Sequence, residues 1–234
     1  MSARFRMRSP LAAVIIIVIL FVTLSLGARP DQAPAASAAD CVSIGTPKPA
    51  LSYTYQQSDS AGGASEFTDR WEEFTKTGSR LLTSKSSPKG PGVITSLNRH
   101  RVVDDVLILD SSTQTGTDAG RQVDNSTSFQ PGVVADPAYR ACAGRTWPIP
   151  SVMATNESAQ GRFSAATPAG TLTIKAIRES ITVPAGRFDT VHYTRVTGQS
   201  VDEYWKSTEH GVTVKRTHTM PGGVVVTATL HTIK

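Results

Sequence analysis

The sequence predicts a mainly β domain, an antiparallel meander behind an N-terminal hydrophobic export segment. Three observations carry that expectation. Residues 170–234 alternate apolar and polar positions between short turn signals, no long helical period follows the first 40 residues, and residues 1–28 place arginines ahead of an unbroken apolar run.

The hairpin Ile181–Tyr193 is the clearest element. Pro184 presets the φ that the first corner of a type I turn needs, and Gly186 accepts positive φ without steric cost. Pro184-Ala185-Gly186 therefore reads as a three-residue loop with the glycine in the left-handed, bulge-forming position. On the incoming arm Ile177, Glu179, Ile181 and Val183 share a face, and on the outgoing arm Phe188, Thr190 and His192 alternate with Asp189, Val191 and Tyr193. Asp189, beside the turn, is expected to accept hydrogen bonds from the loop amides.

The same grammar repeats to residue 234. Strands are expected near Gly170–Val183, Arg187–Val196, Val201–Lys206, Val212–Thr219 and Val224–Thr232, with joints at Gly198-Gln199, Glu209-His210-Gly211 and Pro221-Gly222-Gly223. Upstream the signal is weaker. Leu51–Tyr55 begins a strand, Phe67–Phe74 suits either a strand or one amphipathic helical turn, and Leu81–Thr83 and Val93–Thr95 flank a Pro- and Gly-containing loop. Val102–Leu109 reads as one strand, Ser111–Ser128 as loop or a weakly specified pair of edge strands, and Pro131–Pro150 as irregular.

At the other end, Arg4, Arg6 and Arg8 precede an uncharged run from Leu11 to Ala28. The order is that of an export signal, and the run also reaches the lower limit for spanning a bilayer. Residues 1–38 are thus a signal peptide, cut near Ala36-Ser37-Ala38, or an uncleaved N-terminal anchor touching the membrane through residues 11–28. Acylation of Cys41 is rejected because Asp40 stands where a lipoprotein site needs a small residue. Residues 39–50 follow as a short linker and 51–234 as a single antiparallel β domain, either secreted or held on the extracytoplasmic face of the cytoplasmic membrane.

Length and charge fit that division. The 234 residues are 39% hydrophobic and 18% charged, which suits one globular domain plus the appended segment. The chain carries +5, but of 24 basic and 19 acidic residues, Arg4, Arg6, Arg8, Arg29 and Asp31 lie in the segment, leaving 20 against 18. A net +2 is no sign of nucleic-acid binding. Export also favours pairing the two cysteines, so Cys41 and Cys142 are expected to form a disulfide.

The order Val183-Pro184-Ala185-Gly186-x-Phe188-Asp189, then Tyr204-Trp205, then Gly211-Val212-Thr213-Val214-Lys215-Arg216 resembles a group of exported bacterial envelope proteins of unknown function. The resemblance covers the last third of the chain, with Arg187 in place of the usual threonine. That group is similar in outline to half-barrel lipoprotein carriers, and the likeness implies a curved antiparallel sheet, a half-barrel or open barrel meander, with a concave apolar face.

Catalytic patterns are few. Ser86-Ser87-Pro88-Lys89 and Lys76-Thr77-Gly78 match fragments of penicillin-recognising enzymes, but in reversed order and without the third element. No nucleophile elbow, zinc-protease motif, phosphate-binding loop or dinucleotide fingerprint occurs. His192, His210, His218 and His231 fall within the meander, yet no carboxylate completes a ligand set, and Asp104-Asp105 offers only an isolated acid. Asn125 and Asn156 open glycosylation sequons, which chance explains in a chain of bacterial character. No catalytic residue, metal or cofactor is assigned.

Three function classes follow. The first is a non-catalytic β domain that binds an apolar ligand or lipid, with Trp205, Val214, Val226 and Leu230 as candidate lining residues at period-two positions. The second is a cell-surface structural or protein-interaction module, and the third a hydrolase with scattered site residues.

Overall fold

The computed structural model describes residues 40–86 and 92–234. The expected export segment, its cleavage site and the run Ser87-Pro88-Lys89 lie outside the described residues. Among the described residues no helix is long and apolar enough to cross a membrane.

Sixteen strands account for most of the domain. The first half holds β1 (Cys41–Ser43), β2 (Ser52–Asp59), β3 (Ala64–Phe74), β4 (Gly78–Ser86), β5 (Val93–Val103), β6 (Val106–Asp118), β7 (Arg121–Pro137) and β8 (Arg140–Cys142). The second holds β9 (Thr146–Ile149), β10 (Met153–Ser158), β11 (Gly161–Ala166), β12 (Gly170–Val183), β13 (Gly186–Thr197), β14 (Ser200–Ser207), β15 (Thr213–Thr219) and β16 (Val225–Ile233). Strands β1 and β8 form a two-stranded sheet, and the other 14 form one antiparallel sheet in the order β11-β10-β7-β6-β5-β4-β3-β2-β16-β15-β14-β13-β12-β9.

Two meanders of consecutive neighbours make up that order, β2–β7 and β12–β16. Strands β2 and β16 join them, with Tyr53 opposite Ile233 and Asp59 opposite Val226. The sheet is not closed into a barrel. Its two ends are nevertheless parts of one long hairpin, because Ile149 opposite Gly170 and Met153 opposite Ala166 keep the same phase. Between those pairs the Thr167 amide donates to the Val152 carbonyl at 2.8 Å, so the ladder carries through. The base of this hairpin pairs with β13 and its tip with β7.

Contacts between distant strands show that the sheet bends back on itself. The Tyr193 hydroxyl on β13 donates to Asp136 on β7, and the Lys206 ammonium on β14 donates to the Pro137 carbonyl at 2.7 Å. Two apolar clusters fill the bend. One gathers Tyr53, Tyr55, Phe67, Trp71, Leu107, Val214 and Leu230, and the other gathers Ile44, Ile108, Ala141, Trp147, Leu172, Ile174 and Tyr193. Tyr55 stacks on Phe67 with centroids 4.8 Å apart, an arrangement that contributes about 0.5–1.5 kcal/mol beyond area burial.

The expected last five strands match β12–β16 to within a residue or so at each end. At the first turn Val183 pairs with Gly186, so the loop is the two residues Pro184-Ala185 rather than three, and Gly186 takes φ +136°. A Cβ there would come no closer than 3.8 Å to the Phe188 ring, so the penalty of a side chain is conformational, not a clash. Gly186→Ala should therefore destabilise the domain by about 1 kcal/mol. Chemical denaturation checks this, and an unchanged midpoint would count against it.

Elsewhere the structure departs from the sequence reading. Phe67–Phe74 is strand, within β3. Asp104 and Asp105 interrupt the expected strand Val102–Leu109, each with positive φ, 49° and 64°, making the tight turn between β5 and β6. Ser111–Ser128 is neither loop nor edge but the long β6–β7 pairing, its turn at Ala119-Gly120. The described part of the expected linker, residues 40–50, is built into the fold: Cys41–Ser43 pairs with Arg140–Cys142, the Cys41–Cys142 disulfide crosses that pairing, and Ile44 is buried in the second cluster.

Candidate functional site

Strand alternation places one row of side chains from each meander on the inner side of the bend. Phe67, Asp69 and Trp71 follow one another at period two on β3, next to Tyr55 on β2. From the other meander come Tyr193 and Arg195 on β13, Tyr204 and Lys206 on β14, and Val214 and Arg216 on β15, kept in register by the pairs Tyr193 with Tyr204 and Tyr204 with Arg216. Leu81 on β4, Asn98 and His100 on β5, Leu109 on β6 and Asp136 on β7 complete the surround.

These side chains, apart from the fully buried Tyr193 and Val214 behind them, line a cavity of about 300 Å³, open on one side. One wall is apolar, with Tyr55, Phe67, Trp71, Leu81 and Val212. The rest is mainly charged or polar, interrupted by Leu109 and Ala135. Arg195 donates from Nε and from one terminal nitrogen to a single oxygen of Asp202, at 3.1 and 2.9 Å, and the Nδ1 of His218 lies 2.5 Å from the other oxygen of the same carboxylate. Arg216 is exposed at the mouth with its guanidinium 4.9 Å from the Phe67 ring centroid. Gly211 contributes backbone at φ +65°, where a Cβ would fall 2.1 Å from the Gly45 carbonyl.

Burial tunes these groups. It pushes the Asp69 carboxyl up to about 6, against the opposing pull of the Thr83 hydroxyl, which donates to it at 2.6 Å, and of Arg216. It lowers the Lys206 ammonium, with Asp136 drawing it partly back, and it lowers His100, whose Nδ1 is 3.3 Å from the Ser79 hydroxyl. Tyr204, stacked on Tyr193 at 4.9 Å, is raised to about 12 by burial.

The four lining residues expected from the sequence fare differently. Val214 and Leu230 are fully buried and belong to the core rather than to the cavity wall. Val226 is half-buried on the inner side, opposite His218 and Asp59. Trp205 points away from Tyr204, to the opposite side of the sheet. There it stacks on His192 at 4.4 Å, donates from Nε1 to Glu179 at 3.1 Å and lies under the Lys215 ammonium.

Asp189 lies on β13, where its main-chain carbonyl accepts from the Thr208 amide at 2.9 Å. Among the described residues no group of three His, Cys, Asp or Glu side chains is placed to hold a metal ion. Asp104 and Asp105 form a turn and do not line the cavity, and Arg145 contacts both, the Asp105 carboxylate and the Asp104 carbonyl.

No family model, curated protein or solved structure matches the chain. The site therefore rests on its own geometry. Sequence reasoning missed Asp69, Asp136, Arg195, Lys206 and Arg216, although all five carried a readable mark. Each sits two residues after a buried or inward aromatic or valine, in the phase where a core residue belongs.

Proposed function

We propose that this chain is an exported, non-catalytic binding protein, with the bent sheet acting as an open half-barrel that holds a small amphipathic ligand on its concave side. The observation that supports the reading is the cavity of about 300 Å³ with an aromatic and aliphatic wall facing ionisable groups. Its size is at the lower end of small-molecule pockets, and such pockets combine apolar lining with a few placed polar groups. Apolar contact there gains roughly 25 cal/mol per Å² removed from water, enough for retention without any covalent step.

Compared with a wholly apolar lipid slot, the charged groups shift the expectation toward a ligand with a polar head. Native mass spectrometry and organic extraction of the protein purified from its exporting host should recover a stoichiometric amphiphile. Bare protein, together with exclusion of a hydrophobic dye from the cavity, would refute the reading and favour an interaction module.

A further inference from the structure

We infer that the cavity selects a zwitterionic head, one ammonium and one anionic group carried on the same small amphiphile. The inference rests on the binding reading above and adds the chemical class of the ligand. Four ionisable side chains of both signs line the cavity, Asp69 and Asp136 against Lys206 and Arg216. None of them forms an ion pair with another, whereas Arg195 in the same cavity is paired with Asp202.

Their protein partners leave capacity over. Lys206, 1% exposed, donates to one main-chain carbonyl, although an ammonium has three donors. The Asp69 carboxylate accepts from Thr83 and Asp136 accepts from Tyr193, each through one oxygen, although a carboxylate has two. Arg216 meets only the Phe67 ring face.

Charges of both signs also act on one another across the one cavity. Asp69 feels both Arg216 and Asp136, and Lys206 feels Asp136. A purely anionic head placed near Lys206 would also meet Asp136, and a purely cationic head near Asp69 would also meet Arg216. A head carrying both signs can turn its ammonium toward a carboxylate and its anion toward a cation. Buried polar groups with unused hydrogen-bonding capacity favour a ligand that supplies it, and one that carries both signs serves Lys206 and the carboxylates together where a singly charged one serves only one sign. The wall of Tyr55, Phe67, Trp71 and Leu81 then faces the apolar part.

Titration calorimetry on the full chain tests this with four short-chain probes below their micellar concentrations. They are dihexanoylphosphatidylethanolamine, dihexanoylphosphatidic acid, hexyltrimethylammonium and dihexanoylglycerol, with free phosphoethanolamine as the head alone. The zwitterionic lipid should bind at least about tenfold more tightly than each of the other lipids. Weak binding of phosphoethanolamine would assign the apolar wall a share, and binding equal to the lipid would point to a free zwitterion as the natural occupant. In either case the head selectivity stands.

Asp69→Asn should erase the advantage over phosphatidic acid, and Arg216→Gln, at the exposed mouth, the advantage over the cationic probe. Equal binding of all four amphiphiles would overturn the inference while leaving an amphiphile-binding cavity. Binding of none would overturn both readings.

Discussion

Replacing Cys41 and Cys142 together by serine should lower the stability of the domain by about 4 kcal/mol, the largest loss expected from any change described. The bridge closes a separation of 101 residues, and in the chain-entropy model a loop of that length restricts the unfolded state by roughly 4–5 kcal/mol. Local structure adds to the effect. Strand β1 has three residues and pairs with the equally short β8, so without the bridge the corner over the buried Ile44 and Ala141 is held by that short ladder and a few flanking main-chain bonds, such as the Gly45 amide to the Thr208 carbonyl. The thermal midpoint should fall by roughly 10 °C, and adding reductant to the unaltered protein should give a similar fall. Coincident melting curves with and without reductant would refute the prediction.

Asp69→Asn should act in the opposite direction and only at neutral pH. The folded carboxyl holds its proton up to about pH 6, whereas in the unfolded chain it ionises near its ordinary value of 3.8. Between those values the folded state binds more protons, so stability falls as pH rises through this window. Above it, ionised Asp69 costs up to about 3 kcal/mol, reduced to about 1–2 by solvent at the cavity mouth. Asparagine removes the charge and still accepts from the Thr83 hydroxyl. The variant should therefore melt higher than the parent at pH 7.5 and with it at pH 3.5. Equal destabilisation at both pH values would mean that the carboxylate is structurally required.

How legible each part was depends on whether its information is local. Strands β12–β16 were readable because each has a clean alternation and each joint carries Pro or Gly, and those signals sit within a few residues of one another. The cysteine pair was readable from the even number of cysteines and the export expected of the N-terminal segment. Strands β6 and β7 were not, because Ser111–Thr117 and Gln122–Ser128 are rich in Ser, Thr and Gln on both faces, which removes the period-two contrast.

Asp104 and Asp105 were misread because both occupy left-handed φ, a choice that Asp tolerates better than most residues yet that apolar neighbours on either side conceal. Strand β1 depends on a partner about 100 residues away, which no local pattern announces. The cavity failed to emerge for a related reason. Asp69, Arg195, Lys206 and Arg216 are ordinary surface residues when counted and become a site only when their strand phase is combined with the bend that brings β7 opposite β13 and β14.

The seam between β2 and β16 bears on how the molecule is made. Within each meander, neighbouring strands are close in the chain and can zip as soon as they exist, whereas the seam unites Tyr53 with Ile233 and is sealed by reciprocal main-chain bonds between Ser52 and Lys234. Closing so long a loop delays pairing until most other order is in place. During synthesis the two meanders can form separately, each with an unsatisfied margin, and assembly waits for the last of these strands to arrive.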